Sequence, residues 1–251
     1  MCNYTRMLSV VRFSTLASNQ VYALTGIPAE VLLTLRETAT PTSVNRGRKP
    51  ALAAVDQLLL VLVALRTNLT ERALAALFGV SQPTAHRVIA TWLPQLAELF
   101  YTTWPPGPQH LLIDGTPIPV HDQTRTAKSK NYRRSVNTQI VATTDKHIVH
   151  IGAAWPGNRH DIIVAHATIT PPEGTVLLSD GAYRTFPGAR TPPPRNTPQQ
   201  RRRHIRVRAR IEHVIARLKD WQILRQCRRK GNAIDHALHA VAFLYNQRRQ
   251  L

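Results

Sequence analysis

Along the chain, apolar positions first recur at helical spacing and then shift to short β-branched runs. Pro28 opens a predicted helix, Ala29 to Thr38, with Val31, Leu32 and Leu35 on one side. Ala51 to Leu65 is a dense apolar segment whose length favours a helix over a strand. Thr70 is placed to cap the next helix, in which Leu74, Leu77 and Phe78 fall at helical spacing. Gly79 then allows a left-handed turn, and Ser81 caps a further helix with Pro83 in its first turn. In that helix Ala85, Val88, Ile89 and Trp92 are apolar, while Thr84, His86 and Arg87 read as exposed. Pro94 and the cluster Trp104-Pro105-Pro106-Gly107-Pro108 end the helical region and place a boundary near residues 101–110.

Beyond the boundary the pattern becomes mixed. His110 to Ile113 reads as a strand ending in Asp114-Gly115-Thr116. Thr138 to Thr143 and Lys146 to Ala153 read as a hairpin that turns at Thr144-Asp145. Asp161 to His166 is a short helix, and Thr175 to Leu178 a strand ending in Ser179-Asp180-Gly181. Phe186 to Arg203 is rich in proline and arginine and predicts no regular element; its Pro-Pro-Pro run argues against a central strand. From Ile205 the helical period returns, with Val207, Ile211, Val214, Ile215 and Leu218 in one stripe, and Ala233 to Tyr245 forms another helix. Strands interspersed with helices predict an α/β fold, a mixed sheet with flanking helices, preceded by a small all-α domain. The predicted divisions are an N-terminal segment (1–45), a helical domain (46–100) and an α/β domain (110–251), with Arg46 to Pro50 as a basic linker.

Charge narrows the function. The 251 residues carry 33 Lys+Arg against 14 Asp+Glu, a formal net charge of +19. Residues 181–251 alone hold 17 basic and 3 acidic residues, net +14. Nucleic acid is the leading partner for such a segment, because phosphate neutralisation supplies most of the affinity in those contacts. A solvated basic face is the plain alternative, and an anionic membrane surface fits less well because these cations sit on no strongly apolar helix. The longest apolar run, Leu58 to Leu65, is eight residues, far short of a membrane span. With no secretory signal in the first 20 residues and only Cys2 and Cys227, the composition fits a reducing, cytoplasmic setting.

The Thr70–Leu93 stretch fits a helix-turn-helix whose second helix enters a DNA groove, and it also fits an ordinary helical hairpin. On the first reading Ser81, Gln82, Thr84, His86 and Arg87 are the DNA contacts. The acids past residue 110 are few: Asp114, Asp122, Asp145, Asp161, Glu173, Asp180, Glu212, Asp220 and Asp235. Asp114 and Asp180 share one setting, each after an apolar strand and before glycine, where ligand sites of open α/β sheets lie. Glu212 borders the apolar stripe of the long helix amid Arg208, Arg210, Arg217 and Lys219. Singly, each Asp-Gly is an ordinary turn; together, three carboxylates form an oxygen site suited to Mg²⁺ or Mn²⁺. Surrounding cations, Arg208, Arg217 and Lys219 foremost, would hold the phosphates of a nucleic acid.

The segments LLIDGT around Asp114, GNRHD ending at Asp161, LLSDGAY around Asp180 and RARIEHVIARLKDWQIL around Glu212 resemble those of the DDE-type transposases of bacterial insertion sequences, in the branch related to the Harbinger nucleases. The resemblance spans roughly residues 46–245. It implies a ribonuclease H-like catalytic fold, metal-dependent DNA cleavage and strand transfer, and a helix-turn-helix that holds the element's terminal repeats. Carried over by position, Asp114, Asp180 and Glu212 form the metal-binding triad, with Asp161 beside it or in place of Asp180. Joining two element ends implies an oligomer on the DNA, in the bacterial cytosol at the nucleoid. The residues also fit a DNA-binding protein without catalysis, an inactive remnant; the survival of all three acids favours the enzyme.

Overall fold

The computed structural model describes residues 10–38, 49–107, 109–128, 134–195 and 197–249. Cys2 and the Arg46–Arg48 part of the basic stretch lie outside them. The chain forms two compact units, one reaching to Gln95 and one starting at Leu96.

The first unit is helical: α1 (Ser18–Thr25), α2 (Ala29–Thr38), α3 (Ala54–Thr67), α4 (Glu71–Phe78) and α5 (Gln82–Glu98). α3 is the centre, with Leu58 to Leu65 all buried and α1, α2 and α4 packed against it. Thr70 caps α4 through the Ala73 N–H, and Gly79 ends it with φ 62°. Ser81 Oγ takes the Thr84 N–H at 3.4 Å and caps α5. Residues before α1 join the same unit. Val11 donates its N–H to Leu77 O, Arg12 Nη1 donates to Phe78 O at the end of α4, and buried Asp56 accepts the Phe13 N–H. The helix does not stop at Pro94: α5 runs through it to Glu98. The proline removes one helical hydrogen bond, but Trp92, Leu93, Leu96 and Ala97 keep the stripe buried, and that burial outweighs the lost bond.

The second unit is built on β1 (His110–Pro119), β2 (Ala127–Lys128), β3 (Arg134–Thr143), β4 (Ile148–Ile151), β5 (Trp155–Pro156), α6 (Asp161–Thr168), β6 (Val176–Leu178), β7 (Ala189–Arg190), α7 (Pro198–Leu218) and α8 (Ala233–Arg249). The sheet runs β2-β3-β1-β6-β7, with β4 and β5 also on β3. β1 pairs antiparallel with β3 and parallel with β6, which pairs parallel with β7. Among the five main strands, β4-β3-β1-β6-β7 is the mixed order of a ribonuclease H-like sheet.

β1 is six residues longer than its sequence pattern predicts and carries Pro117 and Pro119. The parallel partner β6 pairs only with His110 to Leu112, so past Leu112 that edge of β1 needs no N–H donors and prolines fit. The Pro/Arg-rich segment, predicted to hold no regular element, supplies β7, a two-residue edge strand, and the first residues of α7, Pro198 to Arg203. α7 starts at Pro198, seven residues before the predicted Ile205, with proline in its first turn.

Leu111, Ile113, Val141 and Leu177 point to one face of the sheet and pack with Val149, Ala165, Ile169, Tyr183 and Phe186, burying α6 there. Alternate residues point to the other face, where α7 packs on β1 and β3. Trp221 follows α7 and is fully buried.

Candidate active site

The register of the sheet brings the first two acids side by side. Leu112 of β1 stands opposite Leu178 of β6, so Asp114 and Asp180 occupy equivalent positions two residues past the last parallel pair. Asp114 is not in a turn; β1 continues through it, paired with Ile140 of β3. Its side chain points to the α7 face, where Arg208 Nη1 donates to Asp114 Oδ2 at 3.1 Å. The other guanidinium nitrogen, Nη2, donates to Glu212 Oε1, one helical turn along. Arg208, 19% exposed, thus links Asp114 and Glu212.

Burial pushes the Asp114 carboxyl up to about 6. Arg208 and the Gly115 N–H pull it down, while the charges of Asp180 and Asp161 push it further up. A desolvated carboxylate beside other acids favours either a proton or an added cation.

Asp180 caps the short 3₁₀ turn Gly181–Tyr183, accepting the Ala182 N–H at 2.8 Å. Just before it, the Ser179 carbonyl accepts from Nε2 of buried His204 on α7 at 2.9 Å. Asp161 is the first residue of α6, with His160 at the cap position before it. It comes from the α6 face, over Gly115: a Cβ there would stand 2.2 Å from Asp161 Oδ1. Asn137 Nδ2 donates to that oxygen at 2.7 Å and Gln139 Nε2 at 3.2 Å. The Tyr183 hydroxyl donates to Gln139 Oε1. Burial, with the charges of Asp161, Asp114 and Asp180, pushes that hydroxyl far above its usual range, so it keeps its proton.

These polar partners, Asn137, Gln139, Tyr183 and His204, are not singled out by the sequence patterns. A signal was present in β3: Ser135, Asn137 and Gln139 place polar groups at period two within a largely buried strand.

Among the described residues no three His, Cys, Asp or Glu side chains stand assembled as a metal site. Glu212 is drawn to Arg208, and Asp180 to its own turn. Of the predicted phosphate contacts, Arg208 is engaged with the carboxylates, and exposed Arg217 lies 3.5 Å from Asp220. Lys219 Nζ donates to Pro117 O at 3.3 Å, and burial lowers its pKa.

In the first unit Ser81, Gln82, His86 and Arg87 are exposed and Thr84 partly so, all on the first two turns of α5. Gln82 accepts from Arg72 Nε at 3.4 Å, His86 Nδ1 donates to Glu71 Oε1 at 3.0 Å, and Arg87 donates to Thr84 Oγ1 at 3.3 Å. Contacts to α4 thus fix the exposed face of α5, as a rigid recognition surface requires.

A helix-turn-helix unit followed by a ribonuclease H-like sheet, with one acid within β1 and another just past the end of β6, defines a protein that acts on DNA. Residues 50–102 match the helix-turn-helix of DDE superfamily endonuclease, and residues 105–247 match the transposase DDE domain. The chain is 37% identical over 229 residues to a protein of Streptomyces albus G assigned as the transposase for insertion sequence element IS112, covering 86% of this chain and 88% of that one. No solved structure matches. The chain belongs to the DDE family of insertion-sequence transposases, and it binds DNA. Among the described residues no helix is long and apolar enough to cross a membrane.

Proposed function

We propose that this transposase cuts and joins DNA with a divalent cation, Mg²⁺ or Mn²⁺, held by Asp114, Asp180 and Glu212. The observation that carries this reading is the equivalent register of Asp114 and Asp180, with Glu212 tied to Asp114 through Arg208. The donor set fits a hard cation: all ligands are carboxylate oxygens, and burial, with the charges of Asp180 and Asp161, raises the Asp114 pKa, so an added positive charge is favoured there. A cation held by these carboxylates would supply the positive charge that activates water as a nucleophile and stabilises the leaving oxygen. Water attacks a phosphodiester at the element end; the 3′ oxygen leaves and takes a proton. That 3′ hydroxyl then gives up its proton and attacks a phosphodiester of target DNA, whose P–O3′ bond breaks so that the target's 3′ oxygen leaves and takes a proton; no covalent bond to the protein forms. Arg208 balances the Asp114–Glu212 pair in the free protein and contacts phosphate in the complex, with Arg217 and Lys219 beside it. The protein acts in the bacterial cytosol, as a homo-oligomer that brings two ends together.

The test is nicking of supercoiled DNA by the purified protein with Mn²⁺, with Mg²⁺ and with chelator. Glu212→Gln keeps the length of the side chain and removes its charge. It is expected to lower nicking by roughly 10²-fold or more, since a metal ligand contributes several kcal/mol to the transition state, and to leave DNA affinity unchanged. Nicking at the wild-type rate in this variant would remove Glu212 from the site.

Recognition of the element's terminal repeats is assigned to Ser81, Gln82, Thr84, His86 and Arg87. Arg87→Ala is expected to weaken binding to an element-end duplex by about 10-fold and to reduce the log–log salt slope by about 1. Fluorescence anisotropy at several salt concentrations reads both; an unchanged slope would place Arg87 off the DNA.

A further inference from the structure

Strand β3 is buried along nearly its whole length, yet Asn137 and Gln139, both under 10% exposed, carry amides toward α6. A buried amide is costly unless its polar atoms find partners. Gln139 finds them at both ends: its nitrogen donates to Asp161 and its oxygen accepts from Tyr183. An amide nitrogen only donates and an amide oxygen only accepts. The carboxylate on one side and the hydroxyl on the other therefore fix which way round the group lies. The donors run in one direction, from Tyr183 through Gln139 to Asp161.

The ends of this chain are informative. Tyr183 closes the 3₁₀ turn that Asp180 caps, so its hydroxyl fixes the far end of the peptide carrying that acid. His204 fixes the near end through the Ser179 carbonyl. Asp161 is in turn clamped by Asn137, whose Nδ2 also donates to the Arg159 carbonyl at 3.2 Å. It lies on the face of the sheet opposite to the one Asp114 takes, with Gly115 between them.

We propose that Tyr183, Gln139 and Asp161 form a positioning relay that sets the Asp180 turn at the end of β6, and that Asp161 is the relay's terminal acceptor rather than a metal ligand. This rests on the reading of Asp180 as a metal carboxylate. Groups that orient a ligand typically change metal affinity 10–100-fold when removed, without touching the metal.

The experiment measures Mn²⁺ binding to the full-length protein by titration calorimetry without DNA, with DNA affinity and thermal unfolding measured alongside. Tyr183→Phe deletes one hydroxyl and is expected to weaken Mn²⁺ about 10-fold or more with DNA affinity unchanged. Gln139→Glu sets a carboxylate against Asp161 and is expected to weaken Mn²⁺ further. Adding Asp161→Asn relieves that repulsion and reverses the polarity of the relay: the introduced glutamate accepts from both Tyr183 and the new amide, at the cost of the Asn137 bond, which shares the same Asp161 oxygen. The double variant is expected to bind Mn²⁺ more tightly than Gln139→Glu alone, a coupling that only contacting residues show. Affinity in the double variant no better than in Gln139→Glu alone would overturn the relay, and so would wild-type affinity in Tyr183→Phe. Asp180→Asn is run in parallel and is expected to lose Mn²⁺ binding. Unchanged binding there would overturn the reading of Asp180 and the relay with it; lost binding there with wild-type affinity in Tyr183→Phe would overturn the relay alone.

Discussion

Asp114→Asn is expected to stabilise the metal-free protein while removing its DNA nicking. Asparagine keeps the shape and the hydrogen bond from the Gly115 N–H but carries no charge. The carboxyl has a pKa of about 6 in the fold against an ordinary 3.8, so the folded state disfavours its ionised form. That gap corresponds to at most about 3 kcal/mol at neutral pH. The sign follows from proton binding: between 3.8 and about 6 the folded protein holds a proton that the unfolded chain has released. Stability of the metal-free wild type therefore falls as pH rises through that window and stays lower above it. The variant lacks this loss. At neutral pH its melting temperature is expected to exceed that of wild type by roughly 5 °C, and the difference is expected to vanish near pH 4. Added Mn²⁺ is expected to raise the melting temperature of the wild type and leave the variant unchanged, because only the wild type binds it in the folded state. Nicking is expected to fall by roughly 10³-fold. A variant that is less stable than wild type at neutral pH would mean that Asp114 is held by Arg208 for the sake of the fold.

Gly115→Ala is expected to cost both stability and metal binding. The added Cβ would stand 2.2 Å from Asp161 Oδ1 and 2.8 Å from Gln139 Nε2. Those atoms are side-chain ends, but each is held by hydrogen bonds that must break for it to move. Overpacking of this kind costs about 1–3 kcal/mol, and breaking an amide bond to a carboxylate adds about 1.5–3 kcal/mol. A fall in melting temperature of roughly 5–10 °C follows for a chain of this size. Calorimetry is expected to show weakened Mn²⁺ binding in whatever fraction remains folded. A melting temperature within 1–2 °C of wild type, by the same scaling, would show that Asp161 moves freely, and the relay would lose its anchor.

Much of the chain was legible because its signals are local. Thr70, Gly79 and Ser81 mark caps and a turn through their own side chains or lack of one, and the structure uses each that way. The Asp-Gly pairs after apolar runs drew attention to Asp114 and Asp180, although only β6 ends near its acid; β1 runs on through Asp114 to Pro119, because β3 pairs with it along its length. Three readings went differently where a distant neighbour overrode a local preference. Pro94 lies inside a helix because of what Leu93 and Leu96 bury. Pro117 and Pro119 lie in a strand because β6 is too short to need their N–H groups. The arginines before Ile205 belong to α7, whose first turns carry no continuous apolar stripe and so show no helical period.

By itself the sequence determined the division into a helical and an α/β part, the helix-turn-helix, the basic character of the C-terminal third and the identity of the acids. Periodicity, capping and charge are properties of neighbouring residues, and they survive without a fold. Which acids stand together was decided by the tertiary structure alone. Register placed Asp114 beside Asp180, a guanidinium joined Asp114 to Glu212, and a missing Cβ at Gly115 let Asp161 lie over the strand. Asp161 and Gln139 are 22 residues apart, and Tyr183 and Gln139 are 44 apart. Hydrogen bonds act over about 3 Å, so such partners meet only once the sheet has set its register and α6 has closed over one face of it.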